Sequence, residues 1–430
     1  MERLRGFRDI YPEEMINREK IFRTAEDMSL RFGYEKIDFP SLESMDLYRL
    51  KSGEELVGQT FSFRDRGGRE VTLIPEATPS VVRMLTSRKE IPRPVRWFSF
   101  GKYWRYEEPQ SGRLREFYQY NADLFGVDTP EADSEIIGLA ASILDAYGFS
   151  GEYVIKINSR KIMNALISGT GAGDPLQVMN IIDRSSKAGP EVAVESMVEA
   201  GIGRNEARKI MDTVINARSV DDITQISNSG QDARGEIDRI RKTMELVRSY
   251  TDAEIRFDLS VVRGLAYYTG IVFEAFDRRG ELRAILGGGR YDSLAESLSG
   301  ISIPAVGFGM GDVVVELLLK RTGKWEQKSP GISAFVCNPS GEFPAEASRI
   351  ASRLRNIGTR VIVDVSGRSL SSQLKSADRM GAVFSIILGK KEMEESSLTL
   401  RNMKSGEQFL VSMNGIEKWF QDNSVPGSKA

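Results

Sequence analysis

Histidine is absent from all 430 residues, and cysteine occurs once, at position 337. Together these absences exclude a Cys/His zinc site, a disulfide framework, a Ser-His-Asp triad and an imidazole general base. Any chemistry must rest on carboxylates, arginine, lysine, tyrosine, water or the substrate's own groups. The phosphate-binding pattern G-x-x-x-x-G-K-[ST] is missing too, so a nucleotide would need another device. No stretch approaches ~18 consecutive apolar residues. The start Met1-Glu-Arg-Leu-Arg5 leads into no apolar run, so neither a membrane span nor a signal peptide is expected, and the expected location is the cytoplasm. Charge of one sign is also lacking: 59 basic and 61 acidic residues give −2, which argues against a wholly basic nucleic-acid coat but not against a local basic groove.

The length implies two or three domains, and 40% hydrophobic with 28% charged residues fits a globular chain. Residues 1–159 read as mixed α and β. Met15 to Arg31 has helical apolar spacing, Gly33 to Pro40 alternates like a strand, and Thr60 to Phe63 with Glu70 to Ile74 flanks a turn at Arg66-Gly67-Gly68. Two aromatic-rich strands, Trp97 to Tyr106 and Arg115 to Leu124, flank the loop Glu107-Glu-Pro-Gln-Ser-Gly-Arg-Leu114. Residues 160–250 change to helical texture, with 13 basic and 13 acidic residues and no sign of an RNA clamp, and read as an inserted helical domain. Strand texture returns in 251–321, before a helix from Asp312 to Lys320. A polar stretch at 322–330 reads as a linker. In 331–430, short apolar runs alternate with helical patterns, which indicates a small α/β domain with a partly parallel sheet and a frayed tail from Ser424.

Three segments carry chemistry. In Arg105-Tyr-Glu107 and Arg113-Leu-Arg115-Glu-Phe-Tyr-Gln119-Tyr-Asn121-Ala-Asp123, period two places Arg105 and Glu107 on one face of the first strand and Gln119, Asn121 and Asp123 on one face of the second. Such a face is either a solvated salt-bridge ladder or a polar pocket for a zwitterion beside a polyphosphate, since buried charges need partners. The second segment is Val262-Arg263-Gly-Leu-Ala-Tyr267-Tyr268-Thr-Gly270, and the third is Gly287-Gly-Gly-Arg290-Tyr291-Asp292. Three glycines after a strand over Leu282 to Leu286 are expected to let backbone approach a ligand closely. Gly169-Thr-Gly171-Ala-Gly173 looks like a dinucleotide fingerprint but follows a helical pattern, and is read as a helix-ending loop.

On these residues the chain resembles histidyl-tRNA synthetase of archaeal type, a class II aminoacyl-tRNA synthetase, over nearly its whole length. Gly6-Phe-Arg-Asp9-Ile-Tyr-Pro12 is similar to the family's opening segment, and Phe32 to Pro40 to motif 1, which implies a homodimer. Arg105 to Gln119 is similar to motif 2. Arg263 to Tyr268 and Gly288 to Asp292 resemble the two segments peculiar to the histidine enzyme, and 331–430 an anticodon-binding domain.

The resemblance implies an α+β chain: an antiparallel catalytic sheet of six to seven strands, a helical insertion that touches the tRNA acceptor arm, and a C-terminal α/β domain. It implies adenylation of histidine by ATP, with Mg2+ accompanying the nucleotide, and transfer to the terminal ribose of tRNA(His). Arg105 would hold the α-phosphate, Glu107 the adenine amino group and Arg113 the far phosphates. Arg263 would place positive charge at the α-phosphate where related enzymes use a metal ion, so no protein-held metal is implied. Glu76, Thr78, Gln119 and Asp123 would hold the amino group of histidine, with Tyr267 beside them, while Tyr268 and Tyr291 would meet the imidazole. In the C-terminal domain, Leu370, Leu374 and Ala377 form an apolar helix stripe, which leaves Arg368, Lys375 and Arg379 as candidate tRNA contacts or a solvated face. The chain departs from the class at motif 3: Gly307-Phe-Gly-Met-Gly311 continues Asp312-Val313-Val314, so Val314 stands where the class has the arginine that stacks on adenine, and another arginine would have to substitute. The alternative is a noncatalytic regulatory subunit or uncharged-tRNA sensor. Such paralogs usually lose the arginine and the C-terminal domain that this chain keeps.

Overall fold

A computed structural model describes residues 2–49, 53–88, 90–185, 188–223, 231–263, 265–326 and 331–423. The expected frayed tail, the last four residues of the expected linker and Gly264 lie outside the described residues. The chain divides into two compact units, Met1–Glu326 and Gln327–Ala430.

The first unit opens with helix α1 (Pro12–Arg31). Proline and two glutamates in its first turn and an arginine in its last suit the helix dipole, and Asn17, Ile21, Ala25 and Ser29, four apart, form its buried stripe. Strands β1 (Glu35–Lys36) and β2 (Leu42–Ser44) and helices α2 (Met45–Arg49) and α3 (Gly53–Gly58) follow. The expected hairpin is β3 (Phe61–Arg64) with β4 (Glu70–Leu73), which pair antiparallel. After α4 (Thr78–Thr86) come the long strands β5 (Val95–Trp104) and β6 (Glu116–Phe125). Helix α5 (Pro130–Ala146), capped by Thr129, is buried along most of its length against the sheet.

Strand β7 (Tyr153–Ser159) leads into the helices α6 (Arg160–Thr170), α7 (Pro175–Ser185), α8 (Pro190–Glu199), α9 (Arg204–Asn216) and α10 (Gln231–Val247). Gly171, at φ 75°, ends α6 in the left-handed conformation, so the glycine-rich stretch there is a helix stop. The sheet resumes with β8 (Glu254–Phe257), β9 (Ile271–Asp277) and β10 (Leu286–Arg290), then α11 (Leu294–Ser299), β11 (Ala305–Gly311) and α12 (Asp312–Arg321). The sheet order is β1-β5-β6-β11-β10-β9-β7-β8. Its six inner strands pair antiparallel, and the edge strands β1 and β8 pair parallel to β5 and β7, so the sheet has eight strands rather than six or seven. The strand expected over Leu282 to Leu286 runs instead over the glycines themselves, because β9 and β11 clamp them from both sides.

The second unit holds β12 (Ala334–Cys337), α13 (Pro344–Asn356), β13 (Val361–Val363), α14 (Leu370–Arg379), β14 (Phe384–Ile387), α15 (Lys390–Glu394), β15 (Ser397–Asn402), β16 (Gln408–Ser412) and α16 (Ile416–Asp422). β12 pairs parallel with β13 and β14, as the alternation of strand and helix implies, and β15 and β16 extend the sheet antiparallel. Cys337 is buried beneath α14 with Phe335 and Ala377, and burial pushes its thiol up to about 12, so it behaves as a core residue rather than a nucleophile.

Candidate active site

The polar face predicted for β6 forms. Gln119 Nε2 donates to Asn121 Oδ1 at 2.6 Å, and Asn121 Nδ2 donates to the Tyr103 hydroxyl at 3.1 Å. Asp123 is buried and accepts a short hydrogen bond from the Tyr291 hydroxyl. Burial raises the Asp123 carboxyl to about 7, with the Tyr291 bond acting against that shift.

These side chains lie flat because the neighbouring strand has none in their way. β11 pairs with β6 so that Gly307 faces Asp123 and Gly309 faces Asn121. A Cβ at 307 would sit 2.1 Å from Asp123 Oδ1, and one at 309 would sit 2.5 Å from Gln119 Nε2. β10 plays the same part for the second segment. A Cβ at Gly287 would lie 2.6 Å from Arg263 Nη1, and one at Gly289 would lie 2.9 Å from the Tyr268 ring. The glycine run therefore makes room for the protein's own arginine and tyrosine, which corrects the expectation that it opens backbone to a ligand.

Arg263 has a left-handed backbone at φ 55°, uncommon for a side chain with a Cβ. Its Nη1 donates to Glu274 Oε1 at 2.6 Å, and its guanidinium lies 6.0 Å from the Tyr268 ring centroid. Burial opposes its charge, but Tyr268 and Glu274 outweigh that, so its pKa stands above the ordinary arginine value. Among the described residues, its Nε has no hydrogen-bond partner. The backbone there is held from the helical segment: Arg160, buried at the start of α6, donates through Nη2 to the carbonyls of Arg263 at 2.6 Å and Leu265 at 2.9 Å. Burial lowers the Arg160 pKa to about 10.

The tyrosines converge. Tyr267 donates to Glu76 Oε2 at 2.7 Å, and Thr78, at the start of α4, is close enough to the same phenol to lower its pKa against the upward effect of burial. The Tyr267 ring stands 5.1 Å from that of Tyr268 and 5.9 Å from that of Tyr291. Glu76, Thr78, Asp123, Arg263 and the three tyrosines thus share one region, with Gln119 farther along the same strand face as Asp123.

Arg105 and Glu107 are not on a strand face, because β5 ends at Trp104 and both residues lie in the loop that follows. Arg105 is instead placed by its Nε, which donates to the Pro75 carbonyl at 3.0 Å, and by the Phe117 ring 5.5 Å away. Glu107 pairs with Arg113 at 2.7 Å. The opening segment supports this loop: the Gly6 carbonyl accepts from the amides of Arg115 and Glu116, and Arg8 pairs with Asp312 at 2.6 Å.

Sequence reasoning missed Glu274 and Arg160 as members of this constellation. Glu274 had a signal, a single acid within the otherwise apolar Ile271 to Phe276. It also missed a buried ion network, in which Asp133 of α5 accepts from Arg290 Nε at 2.8 Å and from Arg239 Nε of α10 at 2.7 Å.

In the second unit, Arg368, Lys375 and Arg379 are exposed, while Leu370, Leu374 and Ala377 pack inward as the stripe predicts. Lys375 lines a hollow of about 420 Å³ together with Leu370, Ser371, Leu374, Asp378, Arg401 and Met403. Arg368 and Arg379 are not among its lining residues, and Arg401 was not foreseen.

Among the described residues, no helix is long and apolar enough to cross a membrane. The family model described as histidyl-tRNA synthetase matches residues 6–312, and that described as anticodon binding domain matches residues 333–423. A protein of Thermoplasma volcanium named histidine–tRNA ligase is 47% identical over 99% of both chains. One of the same name from Picrophilus torridus is 48% identical over 96% of this chain and 98% of its own. The fold is similar to a crystal structure of histidyl-tRNA synthetase from Nostoc sp. PCC 7120, with TM-score 0.78 at 22% identity, covering 98% of this chain and 99% of the other. This chain belongs to the histidyl-tRNA synthetase family.

Proposed function

We propose that the histidine–tRNA ligase reaction of this family member is divided among the residues of the cleft as follows. ATP binds with its phosphates toward Arg105, Arg113 and Arg263 and its adenine amino group toward Glu107. The α-ammonium of histidine is held by Glu76, Thr78, Gln119 and Asp123. Its imidazole lies against Tyr268 and Tyr291, and Tyr267 fixes Glu76 by its hydrogen bond. A histidine carboxylate oxygen attacks the α-phosphorus, the new O–P bond replaces the bond to the bridging oxygen, and pyrophosphate leaves with that electron pair. The ribose hydroxyl at the 3' end of tRNA(His) then attacks the acyl carbon of the adenylate and AMP departs.

Fixed cations aimed at the developing charge are what the first step needs, and no histidine base is required. The observation that carries this reading is the half-buried guanidinium of Arg263, held along one edge by Glu274, with its Nε unpartnered among the described residues. Mg2+ enters as part of the nucleotide substrate, neutralising its phosphates. Around those phosphates this chain contributes arginines. In the second unit, Lys375, Arg368 and Arg379 are the proposed tRNA contacts, supported by their exposure.

We further propose that the protein acts in the cytoplasm as a homodimer, with the segment from Phe32 to Pro40 at the subunit boundary. Its strand β1 lies at a sheet edge with both residues exposed. Replacing Arg263 by Ala tests the division of roles. ATP–pyrophosphate exchange should fall by roughly 100-fold or more while histidine affinity changes much less, as befits a transition-state interaction. Near-normal exchange would refute it.

A further inference from the structure

The nucleotide end of the cleft contains a charge that the protein itself does not balance. Arg105 is tied to the Pro75 carbonyl and Arg113 to Glu107. Arg283, half-buried just before β10, has neither a hydrogen bond nor an ion pair among the described residues. It is close to both members of the neighbouring pair: burial and the Arg113 charge lower its pKa, and Glu107 acts in the opposite sense. A half-buried cation with a like charge beside it is unfavourable unless a ligand completes its surroundings.

The packing of the Arg283 stem indicates what that ligand offers. A Cβ built at Gly112, in the loop between β5 and β6, would lie 3.6 Å from Arg283 Cδ and 3.6 Å from Val314 Cγ2. The loop backbone, the Arg283 methylenes and the Val314 methyl thus meet at one point, which limits the directions the guanidinium can take. A planar cation flanked by backbone and a methyl group suits the face of an aromatic ring better than a phosphate, which prefers free donors in a polar setting. Val314 has no cation to offer, and Arg283 emerges beside it.

We propose that Arg283 is the residue that stacks on the adenine ring of ATP. The proposal rests on the reading of Glu107 and Arg113 as nucleotide contacts. Its test uses the full chain and three ligands measured separately: ATP, AMP and inorganic pyrophosphate. Arg283→Met keeps an apolar stem and removes the planar charge. It should weaken ATP and AMP binding by about 10-fold or more and leave pyrophosphate binding within about two-fold. In histidine-dependent exchange, the KM for ATP should rise by a similar factor with the KM for histidine unchanged. Arg283→Lys should regain little, because an ammonium cannot present a flat face.

Unaltered AMP affinity in a variant whose thermal unfolding matches the parent would overturn the proposal. So would an equal loss for pyrophosphate, which would make Arg283 a phosphate contact. Glu107→Gln distinguishes this from failure of the underlying reading. If Glu107→Gln weakens AMP binding and Arg283→Met does not, only the role of Arg283 is lost. If neither variant changes it, the nucleotide site itself is misplaced.

Discussion

The guanidinium of Arg263 occupies the space in which a side chain at position 287 would begin, with the missing Cβ only 2.6 Å from Nη1. Gly287 pairs with Glu274 across the β9–β10 ladder, so the glycine and the carboxylate together form the seat of the arginine. One methyl group at 287 should therefore act as a displacement of Arg263. Gly287→Ala is expected to reduce the exchange rate by roughly 10- to 100-fold, mostly in kcat, because a shift of about 1 Å is costly to a positioned catalytic group. Exchange kinetics on a variant with unchanged thermal unfolding will show whether it does.

Arg160 should act on the same group from behind. It touches the carbonyls of Arg263 and Leu265, not the space in front of the guanidinium. Arg160→Met removes both bonds while keeping the stem, and we expect kcat for exchange to fall by about 10-fold with the KM values for ATP and histidine within two-fold. Restored kcat in Arg160→Lys would support a positioning role, since an ammonium can reach one carbonyl. A kcat unchanged by either substitution would mean the left-handed backbone of Arg263 needs no such support.

How much of this could be read from the residues alone differs from segment to segment. The face bearing Gln119, Asn121 and Asp123 was legible, because period two is a local property of a strand. The purpose of the glycines was not. It depends on the register of β6 with β11, which brings Asp123 opposite Gly307, and that pairing is set by the fold rather than by neighbours in sequence. The same holds for Arg160, separated by about a hundred residues from the carbonyls it holds. Arg105 and Glu107 were assigned to a strand face but lie in the loop after it, since the aromatic pattern carries on past Trp104 although the strand ladder stops there. The strands of the second unit were legible up to β14. The β15–β16 hairpin went unread: β15 carries its apolar residues singly, at Leu398 and Leu400, and without a partner strand in view the short run Phe409 to Val411 of β16 had no pairing to mark it.

Asp123 should make stability depend on pH. Its folded value of about 7 is above the ordinary 3.8, so the folded state binds the proton more tightly than the unfolded one. The contribution is therefore fully present below about pH 4 and is lost as pH rises toward 7, at up to about 1.4 kcal/mol per pH unit. Asp123→Asn should flatten this slope. Urea unfolding of the larger unit from about pH 5 to about pH 8 compares the two. Parallel curves would show that Asp123 is already ionised in the ligand-free protein.

Asp133 neutralises two arginines from different elements, Arg290 and Arg239, and is itself fully buried. Removing it leaves both cations without that partner. Asp133→Ala should destabilise the first unit by about 3–5 kcal/mol, the range for breaking one side of a buried ion pair. Amide exchange should accelerate in α10 before β12 of the second unit is affected. A loss below about 1 kcal/mol would indicate that water replaces the carboxylate.

The residues assigned above make this a cleft that activates histidine. ATP–pyrophosphate exchange with the purified full chain, run with each of the twenty amino acids in turn, tests it most directly. We predict exchange with histidine at a rate roughly 100-fold or more above that with any other amino acid, because the buried carboxylates and tyrosine hydroxyls discriminate through unpaired polar groups. Exchange supported equally well by another amino acid, or absent with histidine in a protein that binds ATP, would contradict it.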